Sequence, residues 1–144
     1  MSRGGALPGP EQLMRLLEKE FPQSFTGPSA MTIERAEPMI ARVRLPFHDR
    51  HLRPGGTIAG PAMFGLADCA LYIAVLASIG WVPMAVTTNL SINFLSKPAP
   101  GDVLADCRLL KLGKKLAVGE VYIHSDGRDD AVAHAVGTYS IPPR

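Results

Sequence analysis

The sequence predicts an α+β domain in which an antiparallel sheet wraps around one long, buried helix. Three features lead to this prediction: residues 61–79 are almost continuously apolar, the residues after them read as amphipathic strands separated by turns, and 47% of all residues are hydrophobic. A helix that is apolar on every face must be surrounded, either by the sheet or by a partner subunit. The length of 144 residues suits one domain, and we expect residues 1–30 to form its N-terminal helix and link.

The residues before the apolar run predict a helix, a link, a strand and a loop. Apolar residues recur at helical spacing between Pro10 and Pro22 with charges opposite, which is typical of a short amphipathic helix. The strand that follows contains a break near Glu37-Pro38. The predicted ranges are residues 11–21 for the helix, 23–30 for the link, 31–45 for the strand and 46–60 for the loop.

The apolar run itself predicts the central helix. Gly60 suits the N-cap, Pro61 suits the first helical position, where no N–H donor is needed, and Gly80 ends the run. The run is long enough to span a bilayer. Asp68 lies near its middle, however, and no basic cluster flanks it, so we expect a buried helix rather than a membrane span.

Four strands are predicted after the central helix, arranged as an antiparallel meander. The first strand alternates, so that its even-numbered residues, from Val86 on, face one way and its odd-numbered residues, from Thr87 on, face the other. Turns rich in Gly, Lys or Pro separate the strands. The predicted strands are residues 85–95, 103–112, 116–124 and 131–141.

Composition narrows the classes of function. The net charge of +2 does not indicate a nucleic-acid-binding protein, although a few local cations could still hold an anionic ligand. Cys69 and Cys107 lie in apolar runs without a C-x-x-C or histidine-spaced neighbour, so we expect two reduced, buried thiols in a reducing compartment. Residues 1–10 contain no apolar core, so we expect no secretory signal and a cytoplasmic protein. We expect no membrane partner and no cofactor.

Asp68 is the strongest candidate for chemistry. A carboxylate in an otherwise apolar helix is rarely buried without a partner. One interpretation is structural: Asp68 pairs with a loop arginine, Arg50 or Arg53, and holds the loop to the helix. The functional interpretation is a general base or nucleophile in an apolar pocket, where burial and neighbours shift pKa values.

Gly60 is the second candidate. It stands at the predicted start of the helix, where backbone N–H groups are unpaired and the dipole favours negative charge, so its N–H could hold an oxyanion. The alternative is a plain N-cap glycine. Gly60 and Asp68 are eight residues apart, and a helix rises by about 1.5 Å per residue, so roughly 12 Å separates them. If two subunits pair with these helices antiparallel, Gly60 of one chain can face Asp68 of the other.

Several polar residues are weaker candidates. His51 could polarise a substrate carbonyl or bond Asp68, but loop histidines such as His48 and His51 are usually solvated, and no third ligand has metal spacing, so no metal site is expected. Cys69 adjoins Asp68 and points about 100° away from it on a helix, which disfavours a Cys–His–Asp nucleophile. Two strand histidines have no evident partner: His124 and His134.

The remaining candidates lie in the strands and turns after the central helix. Asn89 and Asn93 share the polar face of the first predicted strand, which is either an exposed sheet face or the lining of a groove. Lysines at strand ends are usually solvated, but they can also dock the charged end of a ligand with several phosphates. These turn lysines are Lys97, Lys114 and Lys115.

A set of short segments gives the chain a family resemblance. The segments are Gly60-Pro61-Ala62-Met63-Phe64-Gly65-Leu66-Ala67-Asp68, Thr88-Asn89-Leu90-Ser91-Ile92-Asn93-Phe94-Leu95, Lys97-Pro98 before Gly101-Asp102, Leu112-Gly113-Lys114-Lys115, and Ala133-His134-Ala135-Val136-Gly137-Thr138. In this order and spacing they resemble the hotdog-fold acyl-CoA thioesterases of the phenylacetate-degradation (PaaI-like) type. The resemblance covers roughly residues 42–142.

The resemblance implies a fold, an activity and a site. The fold would be a hotdog, with the sheet wrapped around the helix in dimers that often pair into tetramers. The activity would be hydrolysis of acyl-CoA to the free acid and CoA. The family's acidic residue follows an oxyanion-hole glycine of a His-Gly-Gly motif by eight positions, which corresponds to Asp68 and Gly60; Ala59 stands at the histidine and Pro61 at the second glycine. The expected substrate-binding residues are His51, Pro61, Asn89, Asn93, Lys97, Lys114 and Lys115, the last two beside the CoA nucleotide.

Two other functions remain open at this point. A hydratase or dehydratase on the same fold is one, because residues 51–55 faintly resemble the His-Phe-Pro-Gly motif of that branch, although its acidic partner normally comes sooner than Asp68 does. A non-enzymatic acyl-CoA-binding or sensing protein is the other, favoured by Ala59 at the position of the family histidine.

Overall fold

The chain folds as a six-stranded antiparallel sheet packed against a 20-residue helix, in a computed structural model that describes residues 6–144. The predicted α+β architecture is thereby confirmed. The prediction of no secretory signal concerns residues 1–10, and residues 1–5 lie outside the described range. The helices are α1 (Pro10–Glu20), α2 (Pro22–Phe25) and α3 (Gly60–Ile79), and the strands are β1 (Thr32–Glu37), β2 (Ile40–Leu45), β3 (Leu52–Arg53), β4 (Thr57–Ile58), β5 (Val86–Phe94), β6 (Val103–Leu112), β7 (Leu116–Ser125) and β8 (Ala131–Ser140).

The N-terminal region packs on the core through a few apolar side chains. Leu13 and Leu17 of α1 are fully buried, so the predicted amphipathic helix is confirmed. The predicted link is partly wrong, because Phe25 is buried as well and ends a short helix, α2. The Phe25 ring meets the edge of the Phe21 ring at a centroid distance of 5.8 Å. Through these two aromatic side chains, an otherwise polar segment packs against the core.

The single strand predicted for residues 31–45 is a hairpin. β1 and β2 pair antiparallel around a turn at Pro38 and Met39. Met39 has a φ of 74°, in the left-handed region that few non-glycine residues adopt, and this conformation reverses the chain. The Met39 N–H donates to Ser78 Oγ of α3 at 2.8 Å, so the turn is tied to the end of the central helix.

The sheet order is β1-β2-β6-β7-β8-β5, so the predicted four-strand meander is wrong for β5. The last three strands form a meander, but β5 pairs with β8 at the edge of the sheet instead of with β6. Residues 95–102 join β5 to β6, and such a connection exceeds the roughly 2–5 residues of a hairpin loop. The three strand spacings that it must cross total about 14 Å, which an extended chain of that length easily spans.

The central helix α3 contacts every strand of the six-stranded sheet. It begins at Gly60, with Ala59 as the N-cap, so the predicted N-cap at Gly60 is wrong by one residue. It ends before Gly80, whose φ of 95° turns the chain away. Its length and hydropathy would suit a membrane span, but most of the helix is buried against the sheet.

One side of α3 is not covered by the sheet. Pro61, Phe64 and Gly65 are exposed, and Asp68 and Tyr72 are half-buried. Each of these five residues lies three or four positions from another of them, so they share one face of the helix, which we call the α3 stripe. An apolar helix with one open side needs a further surface to cover it.

Candidate active site

Asp68 lies on the α3 stripe, with its carboxylate held from the sheet. Thr87 Oγ1 of β5 donates to Asp68 Oδ1 at 2.5 Å, and Tyr139 Oη of β8 lies 2.8 Å from the same oxygen. The Tyr139 hydroxyl is also 3.1 Å from the backbone carbonyl oxygen of Asp68. Burial, followed by the neighbouring Asp68 carboxylate, raises the pKa of Tyr139 far above its usual range, so the hydroxyl keeps its proton and acts as a donor.

The position of Thr87 corrects the predicted alternation of β5. The register changes from Thr87 opposite Tyr139 to Asn89 opposite Thr138, which leaves Thr88 as a bulge. A bulge inserts one residue and reverses the faces of the residues before it. Thr87 therefore faces α3, whereas Val86, predicted to share a face with Leu90, is 55% exposed. Sequence reasoning missed Thr87 because the bulge depends on pairing with β8 and has no period-two signal of its own.

Two other roles for Asp68, an ion pair with a loop arginine and membership of a Cys–His–Asp nucleophile, do not fit the geometry. Within residues 6–144, no salt bridge includes Asp68, so the predicted pair with Arg50 or Arg53 is wrong. Cys69 is buried, and burial, with a smaller contribution from Asp68, raises the pKa of its thiol to about 12. A thiol in that state is not a nucleophile near neutral pH.

Gly60 is the first residue of α3 and lies at an uncapped helix N-terminus. The first helical hydrogen bond runs from Met63 N to Ala59 O at 3.1 Å, and no side chain of the cap accepts a bond from the amides before it. The N–H of Gly60 is therefore among the free donors that favour an anion. Phe94 lies over this residue, since a Cβ at Gly60 would stand 3.3 Å from its ring. Gly60 also lines a cavity of about 380 Å³ together with Arg53 and Lys97.

The cavity of Gly60 is separate from the cavity beside the residues that hold Asp68. Thr87 and Tyr139, which hold Asp68, line a cavity of about 520 Å³, and neither Gly60 nor Phe94 reaches it. A single chain therefore does not bring Gly60 and Asp68 to one point, in keeping with their separation of roughly 12 Å along the helix.

A sequence model of the thioesterase superfamily matches residues 55–132, more than half of the chain, and includes Gly60 and Asp68. The chain belongs to the thioesterase superfamily. A provisionally named esterase of Pseudomonas aeruginosa is 33% identical to this superfamily member over 134 residues, which cover 92% of this chain and 97% of the relative. A second provisionally named esterase, from Saccharolobus solfataricus, is 29% identical over 130 residues, which cover 90% of this chain and 83% of the relative. The predicted class, a thioesterase and so a hydrolase, is confirmed at this level.

Solved structures share the fold of this thioesterase. A provisionally named thioesterase from Silicibacter sp. TM1040 superposes with a TM-score of 0.84 at 43% identity, over 96% of this chain and 96% of that one. The PaaI protein from the phenylacetic acid degradation operon of E. coli superposes with a TM-score of 0.70 over 78% of this chain and 80% of that one. Its 22% identity shows a likeness of fold alone. The predicted hotdog fold, of the PaaI-like type, is confirmed.

In this thioesterase His51 supports the start of α3 and does not reach Asp68. Its Nε2 lies 3.0 Å from the carbonyl oxygen of Ser29, so within one chain it does not form the bond to Asp68 that was one of its two possible roles. Its backbone carbonyl accepts the Ala59 N–H at 2.7 Å, which fixes the residue before Gly60. The hairpin of β3 and β4 closes the segment between His51 and Ala59.

The other predicted binding residues of the thioesterase lie in three separate places. Asn89 and Asn93 are exposed on the side of β5 that faces away from α3. They line neither the cavity of Gly60, nor the cavity of Thr87 and Tyr139, nor a third cavity at the opposite end of α3. Lys97 shares the cavity of Gly60. Lys114 and Lys115 line a cavity of about 1250 Å³ at the opposite end of α3. Of these five residues, only Lys97 is thus brought to a candidate catalytic group within one chain, while Pro61 follows Gly60 directly and is exposed on the α3 stripe.

The two strand histidines have partners that the sequence did not reveal. His124 Nε2 lies 2.8 Å from Asp106 Oδ2, and His134 Nε2 lies 3.0 Å from Glu120 Oε1. Both pairs join neighbouring strands on the sheet face that points away from α3. The register of β6, β7 and β8 decides these contacts, so a structural role on the outer face accounts for them.

Proposed function

We propose that the protein hydrolyses acyl-CoA thioesters to the free acid and CoA, at sites shared between the two subunits of a homodimer. The observation that supports this most is the environment of the Asp68 carboxylate. Two hydroxyl groups donate hydrogen bonds to one of its oxygens, and the residue lies on the α3 stripe, which the sheet does not cover. Among residues 6–144, its hydrogen bonds all reach Oδ1, so Oδ2 has no protein donor and is available to react. The buried thiols of Cys69 and Cys107 suit a reducing cytoplasm.

The α3 stripe supports an antiparallel pairing of two central helices. If Gly60 of the partner subunit faces Asp68, residue 64, midway between them, lies on the two-fold axis. Phe64 is 40% exposed, and a Cβ on Gly65 would meet nothing within 4 Å, so both positions leave room for a second helix. The edge strand β5 runs beside the stripe, and its exposed Phe94, which lies over Gly60, extends the apolar surface.

The proposed reaction uses Oδ2 of Asp68 and the N–H of Gly60 of the partner subunit. Oδ2 either takes a proton from a water whose oxygen bonds to the thioester carbon, or bonds to that carbon itself. In both routes an electron pair moves onto the carbonyl oxygen, which the Gly60 N–H stabilises. Collapse breaks the C–S bond: in the first route the CoA thiolate takes up the proton that Asp68 holds, and in the second route it takes up a proton from the water that enters next. In the second route water then hydrolyses the acyl–aspartyl anhydride and restores the carboxylate, so one water is consumed in each route.

Lys97 is our candidate for the CoA phosphates, because it shares the cavity of Gly60 with a second cation, Arg53. Lysines bind phosphate as point charges. We expect Lys97→Ala to raise KM for acyl-CoA without changing KM for a short N-acetylcysteamine thioester. The double variant Lys114→Ala/Lys115→Ala is the matched comparison, and a rise in KM there alone would reassign the phosphates to the other end of α3.

The test of the proposed function is Asp68→Asn, which keeps the shape of the side chain and removes the charge. We expect thiol release from acyl-CoA to fall by about 10²–10⁴-fold, the usual worth of a positioned acid or base. Unfolding in urea checks that the variant is folded. Full activity in the folded variant would contradict the role of Asp68. Tight binding of acyl-CoA without turnover by the unaltered protein would identify a binding protein instead.

A further inference from the structure

The cavity of about 520 Å³ beside Asp68 lies under the N-terminal helix. Its wall combines Leu17 of α1 and the following Phe21 with Tyr72 of α3 and the two residues that hold the carboxylate, Thr87 and Tyr139. The cavity therefore begins at the two residues that hold the Asp68 carboxylate and ends against α1. Its volume falls within the range of about 300–1,000 Å³ that is usual for small-ligand pockets.

The lining of this cavity is aromatic and carries one charge. Tyr72 stacks on Tyr139 at a centroid distance of 5.9 Å and an interplanar angle of 25°. The Tyr72 hydroxyl donates to the Pro83 carbonyl oxygen at 2.9 Å, so its polar end is satisfied by the protein. Of the described residues that line the cavity, Glu20 alone is charged. Glu20 is exposed at the end of α1, which places its carboxylate at the solvent side of the cavity.

We infer that this cavity binds the acyl group of the substrate, that it selects uncharged apolar or aryl acyl groups, and that Glu20 rejects acyl groups that end in a carboxylate. The inference rests on the proposed function and adds the substrate class. A shared site gives the thioester two directions: one leads past Thr87 and Tyr139, which hold Asp68, into this cavity, and the other leads from Gly60 into the cavity with Arg53 and Lys97. The apolar cavity suits the acyl group, and the cationic one suits the CoA phosphates.

Two effects would produce this selectivity. Burial of apolar surface favours an apolar acyl group, and repulsion between like charges disfavours an acyl group that ends in a carboxylate. Each methylene that enters an apolar cavity contributes about 0.8 kcal/mol, which is about fourfold in kcat/KM. A second carboxylate at the far end of the acyl group would meet Glu20, and within residues 6–144 no cation lines the cavity to offset the repulsion.

The test compares hexanoyl-CoA with adipoyl-CoA, which match in length and differ by a terminal carboxylate. We expect hexanoyl-CoA to be the better substrate by at least about tenfold in kcat/KM. Glu20→Lys should reduce that ratio by about tenfold through faster turnover of adipoyl-CoA, with hexanoyl-CoA nearly unchanged. Glu18→Lys is the matched control, since Glu18 is exposed on the same helix but does not line the cavity. An unchanged ratio in Glu20→Lys, or an equal change in Glu18→Lys, would overturn the inference.

A second measurement separates this inference from the proposed reaction. Calorimetry on Asp68→Asn measures binding of the same two thioesters without turnover, and the preference for hexanoyl-CoA should persist. Phe21→Trp should weaken binding of hexanoyl-CoA while leaving that of acetyl-CoA unchanged, because the larger ring shortens the cavity. If no acyl-CoA is hydrolysed but these preferences hold, the proposed reaction fails and the cavity assignment stands. Equal binding of hexanoyl-CoA and adipoyl-CoA would remove the assignment whatever the activity.

Discussion

At the scale of single residues, the two hydroxyl groups on Asp68 distinguish its carboxyl oxygens. Thr87 and Tyr139 both reach Oδ1. Hydrogen bonds to a charged group contribute about 1.5–3 kcal/mol each, so together they hold the carboxylate in one orientation. The two bonds to Oδ1 therefore also fix the position of Oδ2, although none of the residues 6–144 donates a hydrogen bond to Oδ2 itself. Thr87 and Tyr139 are positioning residues in this proposal, because they act through Asp68.

We predict that Thr87→Val and Tyr139→Phe each lower kcat by about tenfold or more, with a smaller effect on KM, because the carboxylate loses one of its two donors. Thr87→Ser keeps a hydroxyl and should retain most of the activity. Steady-state kinetics on the purified variants check this. Thr88→Val is the control, since its hydroxyl donates to the Thr138 carbonyl oxygen at 3.2 Å. Equal losses in Thr87→Val and Thr88→Val would indicate a general effect on β5.

At the scale of elements, a pair of glycines sets how closely α3 approaches the sheet. Gly119 of β7 and Gly137 of β8 are register partners. A Cβ at either one would stand 2.6 Å from a methyl carbon of Leu71, which is closer than real Cβ contacts. Leu71 is fully buried and packs into the space that the two glycines leave. Interiors are packed densely, so the helix cannot withdraw without opening voids elsewhere.

We predict that Gly137→Ala lowers the free energy of unfolding by about 1–3 kcal/mol, the usual cost of overpacking. In an unstrained strand the same change would be stabilising, because glycine is the more flexible residue in the unfolded chain. Urea denaturation measures the loss. In the double variant with Leu71→Ala, the combined loss should be smaller than the sum of the single losses, since one of the two 2.6 Å clashes, with Leu71 and Leu90, disappears. Additive losses would show that Leu71 is not the neighbour that matters.

The outer face of the sheet makes stability depend on pH through Asp106. Arg42 donates to both carboxyl oxygens at 2.7 and 2.9 Å, and His124 contacts one of them. Burial by itself raises the pKa of Asp106, but the hydrogen bonds from Arg42 and His124 outweigh it and hold this pKa below its usual value. Because this pKa is lowered, ionised Asp106 stabilises the folded state fully above the unfolded-state pKa of about 3.9. That stabilisation is lost as the pH falls through the folded-state pKa.

We predict that Asp106→Asn lowers the free energy of unfolding by about 1 kcal/mol at neutral pH, the upper end for partly exposed ion pairs. As the pH falls through the lowered folded-state pKa of Asp106, the difference from the unaltered protein should disappear, because the native carboxyl is then protonated as well. Urea unfolding at a series of pH values measures both. A difference that is constant with pH would show that the effect comes from shape and not from charge.

At the scale of the whole molecule, the proposed active site requires two chains. The α3 stripe is open, and the cavity lined by Thr87 and Tyr139, which hold Asp68, is separate from the cavity of Gly60 within one chain. A shared site therefore makes activity and assembly inseparable. This arrangement permits a test by complementation between two inactive variants.

We predict that Asp68→Asn and Gly60→Pro are each inactive alone and that co-expression restores about a quarter of full activity. Proline is tolerated in the first turn of a helix and removes the N–H that is proposed to hold the oxyanion. Half of randomly formed dimers are mixed, and each mixed dimer contains one intact site of two. Native mass spectrometry confirms the mixed dimers. Mixed dimers without activity would place the whole site in one chain.

The sequence alone determined the elements with strong local patterns. The period of the apolar residues predicted α1, the apolar run predicted α3 to within one residue at its start, and alternation and turn residues predicted the last three strands. Asp68 could be found without a structure, because a charge in an apolar helix breaks a local rule. Local order of this kind depends only on residues a few positions apart, so it can be read from the chain.

Only the tertiary structure decided what depends on pairing between distant segments. The place of β5 beside β8, the bulge that turns Thr87 inward, and the contact of Tyr139 with Asp68 all arise from strand register. Register is set by the packing of whole strands against α3, and a shift of one residue reverses which side chains face the core. The sequence therefore indicated the carboxylate, and the fold alone showed how the carboxylate is held and which of its oxygens remains free to react.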